Sequence, residues 1–179
     1  MKEQKLKMLL GVILALLPFA AKAQTFDALW TQFDEASQKD LPATALKVLH
    51  SIRDKAANEK ADAQLLRALV TECAVAREIS ADSGEVVLRQ IERAMQSERR
   101  PVERALWLSA YGQLTDNADS LMASIAQPEV LADARTADYA TLFEQGEDSR
   151  WEQNDLLGLL TRVVLDREGF RGISPEQAR

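Results

Sequence analysis

Apolar residues recur at helical spacing along this chain, segment after segment, with breaks of only a few residues between segments. Phe26, Leu29, Trp30, Phe33 and Ala36 fall on one helical face. Their i, i+3, i+4, i+7 pattern is one that a strand, with its period of two, does not produce. A second stripe runs through Ala45, Val48, Leu49, Ile52 and Ala56. Pro42 opens it, since proline fits the first helical turn. A third segment, from about Ala63 to Ile79, is apolar most of the way round through Leu65, Leu66, Leu69, Val70, Cys73 and Val75, which marks a central helix. Asp82 and Glu85 have capping-box spacing ahead of Val87, Leu88, Ile91, Ala94 and Met95. Pro101 opens a fifth helix carrying Leu106, Trp107, Leu108, Tyr111 and Leu114. A short segment from Leu121 to Ala126, a helix from about Glu129 to Leu142 behind Pro128, and a last helix over Asp155–Asp166 complete the pattern.

The spacing predicts an all-α fold of six to eight helices. Short connections make consecutive helices antiparallel hairpins, stacked in a solenoid-like or bundle array. The tetratricopeptide positions do not recur at a fixed period, so no named repeat is assigned. Trp30, Leu49, Leu69, Ile91, Leu106 and Trp107 are the expected core.

The start of the chain reads differently. Lys2, Lys5 and Lys7 precede an uncharged apolar run from Met8 to Ala21, and Ala21-Lys22-Ala23 offers a small-x-small cleavage site. This is the pattern of a secretory signal peptide, on a run too short to span a bilayer comfortably. Residues 1–23 are expected to be removed, leaving Gln24 first, residues 24–168 as the helical domain and 169–179 as a flexible tail. Export to the periplasm or cell envelope follows, with no membrane span after cleavage.

Removing the leader takes four Lys and one Glu from 22 basic and 28 acidic residues, leaving 18 and 27 and a net charge of −9. Such a surface repels phosphate backbones, which excludes nucleic acid as a partner. Cys73 is the one cysteine and His50 the one histidine, so an internal disulfide and a multi-histidine metal site are both excluded.

Few residues carry candidate chemistry. His50 stands one turn before Asp54, so a carboxylate-oriented imidazole is conceivable, but no nucleophile motif accompanies it. A surface histidine beside a polar i+4 neighbour is the plainer reading. Cys73 lies within the most apolar helix, where it reads as a small buried hydrophobe. Asp116 to Ser120 lacks the Gly and Glu of a calcium loop, and Glu144, Glu147 and Asp148 read as a solvated acidic loop. No catalytic, cofactor-binding or metal-ligating residue is assigned, and no cofactor is expected. A possible interface is Trp151 with the last helix, where Leu156, Leu160 and Val163 form one stripe and Leu157 and Val164 lie beside it; the alternative is that the preceding helix, Glu129–Leu142, covers that face. Trp151 is its natural anchor, since aromatic residues are enriched at interface centres.

Together, "FDALWTQFDEASQKDLPATALKVLHSIRDKAANEK", "LLRALV", "PVERALWLSAYGQL" and "PEVLADARTADYATLFEQGEDSRWEQNDLLGLL" resemble the N-terminal helical region of large bacterial alpha-2-macroglobulin-like proteins. The resemblance runs from about Phe26 to Leu165. It implies a helical region followed by macroglobulin β-sandwich domains, and a family role in protease trapping and envelope defence. It does not carry over the thioester: Ala74, Val75 and Ala76 follow Cys73 where the family has Gly-Glu-Gln, and neither Glu144-Gln145 nor Glu152-Gln153 has a cysteine two residues before it. On this reading the chain is a non-catalytic interaction module, a truncated or N-terminal piece whose partners are sister domains or envelope proteins. The alternatives are a freestanding helical-repeat binding protein of the cell envelope and, further off, an enzyme using His50 and Asp54.

Overall fold

A computed structural model describes residues 24–142 and 155–167. Eight α-helices and one 3-10 segment account for nearly all of them: α1 (Phe26–Gln38), α2 (Pro42–Glu59), α3 (Asp62–Ile79), α4 (Ala81–Ser97), α5 (Pro101–Thr115), α6 (Ala118–Ser124), α7 (Pro128–Asp133), the 3-10 segment Thr136–Leu142, and α8 (Leu156–Arg167). Among the described residues no strand forms, only an isolated antiparallel bridge between Arg135 and Asp155. The fold is all-α. The leader (1–23), Trp151, the acidic loop of Glu144, Glu147 and Asp148, and the tail (169–179) lie outside the described residues.

The helix boundaries follow local chemistry. Pro42, Pro101 and Pro128 each stand in the first turn of a helix, where a missing N–H leaves no hydrogen bond unmade. Thr25 Oγ1 accepts from Ala28 N at 3.2 Å and caps α1. Asn117 Oδ1 accepts from Ser120 N at 2.8 Å and caps α6. α2 and α5 end in left-handed residues, Lys60 and Asp116, which turn the chain sharply and allow connections this short.

Two boundaries depart from the sequence reading. α4 begins at Ala81, one residue before Asp82, and its cap is Ser80, whose Oγ accepts from Ser83 N at 3.1 Å. Ser80 is extended where α3 ends, so its hydroxyl reaches the first-turn N–H, while Asp82 already lies inside the turn. The helix expected over Glu129–Leu142 is broken after Asp133. Ala134 is extended, and its carbonyl accepts from Leu156 N at 2.8 Å instead of continuing the helix. A contact some twenty residues along the chain outweighs local helix propensity, which is worth only tenths of a kcal/mol per residue.

α3 is central, packing against α2, α4, α5 and the 3-10 segment. Cross-helix contacts set the registers. Arg100 Nη1 donates to Asp62 Oδ2 at 2.7 Å, and Arg77 Nη1 donates to the Leu114 carbonyl at 3.0 Å. These offsets of 38 and 37 residues are nearly equal, so α3 and α5 run parallel, as two successive reversals require. The buried side chains form two clusters. Leu29, Trp30, Leu49, Ile52 and Ala68 join α1, α2 and α3. A larger set joins α3, α4, α5, α7 and α8 through Leu69, Ile91, Leu106, Trp107, Leu131 and Leu156. All six expected core residues are buried.

Candidate functional site

Glu72 of α3 is only 3% exposed. Burying a carboxylate costs several kcal/mol unless its oxygens are paired, and here they are. His50 Nε2 donates to Oε1 at 3.0 Å, and Arg53 Nη1 lies 3.1 Å from both oxygens. The same Arg53 nitrogen lies 3.3 Å from Gln90 Oε1. Three helices therefore meet at one buried carboxylate. His50 is brought to Glu72, not to Asp54, which is exposed and lies 3.8 Å from Arg53 Nε. The His50–Asp54 pairing that the sequence made conceivable does not form, because Asp54 competes against a carboxylate held between the helices. The contacts use both Glu72 oxygens, His50 Nε2, Arg53 Nη1 and Gln90 Oε1, and they tie three helices together.

Cys73, next along α3, is fully buried, and its Sγ lies 3.7 Å from the Gly84 carbonyl of α4. Burial pushes its thiol up, away from the nucleophilic thiolate form, although Arg77 nearby opposes the shift. Asp116 and Asn117 serve as the end of α5 and the cap of α6. Among the described residues no group of three or more His, Cys, Asp and Glu is placed to hold a metal ion.

The expected docking face of α8 is largely covered by the chain itself. Leu156, Leu160 and Val164 are 0%, 2% and 4% exposed. Leu156 and Leu160 belong to the larger core cluster, packed against residues of α3, α5 and α7. These three are core, so the chain itself covers them and they form no free stripe. Leu157 and Val163 are half-buried.

The opening that remains is a cleft of about 600 Å³ between α3, α5, the 3-10 segment and α8. Its walls include Leu66 and Val70 of α3, Leu106 and Ala110 of α5, Leu142, and Leu159, Leu160 and Val163 of α8. Arg67, Thr71, Ser109, Gln113 and Thr141 supply the polar groups. The volume and the mix of apolar wall with a few polar groups match those of small-ligand sites. Only Leu160 and Val163 were singled out from sequence. The α3 and α5 residues read there as ordinary core stripe, and the signal that could have exposed them was Arg67, Thr71 and Ser109 lying among the apolar positions of the two helices.

Arg67 stands where the cleft meets the smaller core cluster. Its guanidinium carbon lies 3.9 Å from the centroid of the Trp30 ring, a stacking worth about 0.5–2 kcal/mol. Trp30 is fixed in turn by its Nε1, which donates to Gln64 Oε1 at 2.8 Å, and by an edge contact with Phe33 at 5.7 Å. In the 3-10 segment, Tyr139 donates toward Glu103 Oε1 at 3.4 Å, and burial, then the Glu103 charge, raises its phenol.

No family model, curated protein or solved structure matches this chain. Among the described residues no helix is long and apolar enough to cross a membrane.

Proposed function

We propose that this chain is a non-catalytic helical interaction module of an exported alpha-2-macroglobulin-like protein, working in the periplasm or cell envelope by contact with protein partners. The observation that supports a non-catalytic role is the Glu72 cluster: the sole histidine spends its Nε2 proton on a buried structural carboxylate, and the sole cysteine is sealed in the core. The family frame rests on the sequence resemblance, and the setting on the leader. Binding by such a module uses its surface, where Ile79, Val86 and Met122 are large exposed apolar side chains.

The test is photo-crosslinking from those three positions, one at a time, in cells making the full chain. Adducts to the same few envelope proteins, competed by unlabelled chain and unchanged by His50→Ala, support the module. Absence of competed adducts at all three positions overturns it. Mass spectrometry of the same material checks export: Gln24 as first residue is expected, and a mature chain retaining Met8 to Ala21 would refute it.

The cleft favours a second reading, a freestanding helical binding protein that holds its ligand between α3, α5 and α8.

A further inference from the structure

Among the described residues three arginines, Arg53, Arg67 and Arg104, are half-buried. Arg53 is paired with Glu72, and Arg104 Nη1 donates to the Glu98 carbonyl at 3.3 Å. Arg67 alone of the three has no oxygen acceptor for its guanidinium among the described residues; its recorded partner is the face of Trp30. Stacking occupies the plane of a guanidinium and leaves its N–H edge free to donate. Among the described residues the Arg67 guanidinium therefore keeps N–H donors that an anion entering the cleft could take up.

A second donor lies on the same wall. Ser109 is buried, and its Oγ accepts from Gln113 Nε2 at 3.3 Å. Its own hydroxyl proton has no acceptor among the described residues. The parallel register of α3 and α5, with its offset of 37–38 residues, sets Ser109 level with Thr71 and Glu72, about one turn from Arg67. Two unused donors thus stand near one another on an otherwise apolar cleft.

We propose that the cleft binds a small amphiphile with one carboxylate and an apolar body, such as a medium-chain fatty acid. The carboxylate accepts from Arg67 and Ser109, and the chain lies along Leu66, Val70, Leu106 and Leu159. This rests on the second reading above, the freestanding binding protein. The volume sets the class: about 600 Å³ takes a single small chain and excludes a folded partner. Charge-assisted hydrogen bonds to a guanidinium are stronger than neutral ones, so the acid is preferred over its neutral analogue.

The experiment is calorimetric titration of the full mature chain with octanoate, 1-octanol and octyltrimethylammonium. Octanoate is expected to bind saturably, about tenfold more tightly than 1-octanol, with the cation weakest. Arg67→Gln should lower octanoate to the affinity of 1-octanol and leave 1-octanol unchanged. Ala110→Phe, which fills the cleft, should abolish binding of both while circular dichroism stays helical. Val163→Phe provides the same test from α8 if Ala110→Phe does not fold. Absence of saturable octanoate binding to the parent, equal affinity for acid and alcohol, or unchanged octanoate binding in Arg67→Gln each overturns the proposal. The crosslinking experiment does not depend on the cleft, so protein adducts without octanoate binding would sink this inference alone.

Discussion

The two ends of the molecule are built on different terms. From Phe26 to Ile79 the chain makes three helices of 13, 18 and 18 residues, joined by breaks of two or three residues. Each packs against the next. From Ala118 onward the helices shrink to 7, 6 and 12 residues around a 3-10 segment. There the framework is a return contact: Leu156 N donates to the Ala134 carbonyl, and Asp155 Oδ1 caps α8 through Gly158 N at 2.8 Å. The early half is specified by neighbours in sequence and the late half by partners far along the chain. Helices of six or seven residues do not persist alone, so the late half depends on the core that α3 and α5 offer it.

The largest expected effects contrast these halves directly. Leu49 and Leu156 are both fully buried. Leu49→Ala and Leu156→Ala should each cost about 2–5 kcal/mol by denaturant unfolding. Hydrogen exchange should separate them. Leu49→Ala is expected to raise exchange across α1 to α3, and Leu156→Ala to open α7, the 3-10 segment and α8 first, with α1 and α2 keeping their protection. Uniform loss of protection in Leu156→Ala would erase the comparison.

A smaller effect tests the joint between α5 and α6. A Cβ on Gly112 would lie 2.7 Å from Leu121 Cγ and 3.0 Å from the Leu121 backbone nitrogen. The backbone atom cannot swing aside, so Gly112→Ala should destabilise by about 1–3 kcal/mol. Gly84→Ala meets only the Arg77 side chain at under 3.0 Å, and it should cost less while loosening the Arg77–Leu114 bond. Equal losses at the two glycines would mean that the α5–α6 joint yields as readily as a side chain does.

Removing the Asp155 cap should cost about 1 kcal/mol. Its signature is fraying of the first turn of α8 in Asp155→Ala, and a change confined to other helices would contradict the role given to this residue.

The smallest effect depends on pH. Glu98 is held at about 2, below its ordinary 4.5, chiefly by the hydrogen bond from the Arg100 guanidinium. Its folded value lies below the unfolded one, so the stabilisation is complete above about 4.5 and fades as pH falls toward about 2. Arg100 is half exposed, and screening limits the contribution to about 1 kcal/mol. Glu98→Gln should flatten the stability profile in that window and leave neutral pH little changed. An unaltered acid slope would remove this pair from the account.

Much of the fold was legible because helix formation and burial leave local marks. The stripe of Leu29, Trp30 and Ala36, the prolines at 42, 101 and 128 and the largely apolar, central α3 are properties of adjacent residues, and each stands in the structure as read. The helix expected over Glu129–Leu142 was misread because its break is made by Leu156, which no window around Ala134 contains. The stripe of α8 was correctly apolar, and of the two covers it allowed, a following domain or the chain's own helices, the structure puts the chain's own core over Leu156, Leu160 and Val164, since periodicity shows that a face is covered and not by what.

Sequence by itself determined the all-α class, the early helices and the six central core residues, because period and proline placement act within a turn or two of the chain. Tertiary structure alone decided that His50 meets Glu72 instead of Asp54, that Leu156, Leu160 and Val164 close on their own core, and that Arg67 lines a cleft with no carboxylate among its described walls. Those outcomes depend on which buried groups come within a few ångströms across helices. Short-range pairing and desolvation energies are fixed by that distance, and sequence separation carries no record of it.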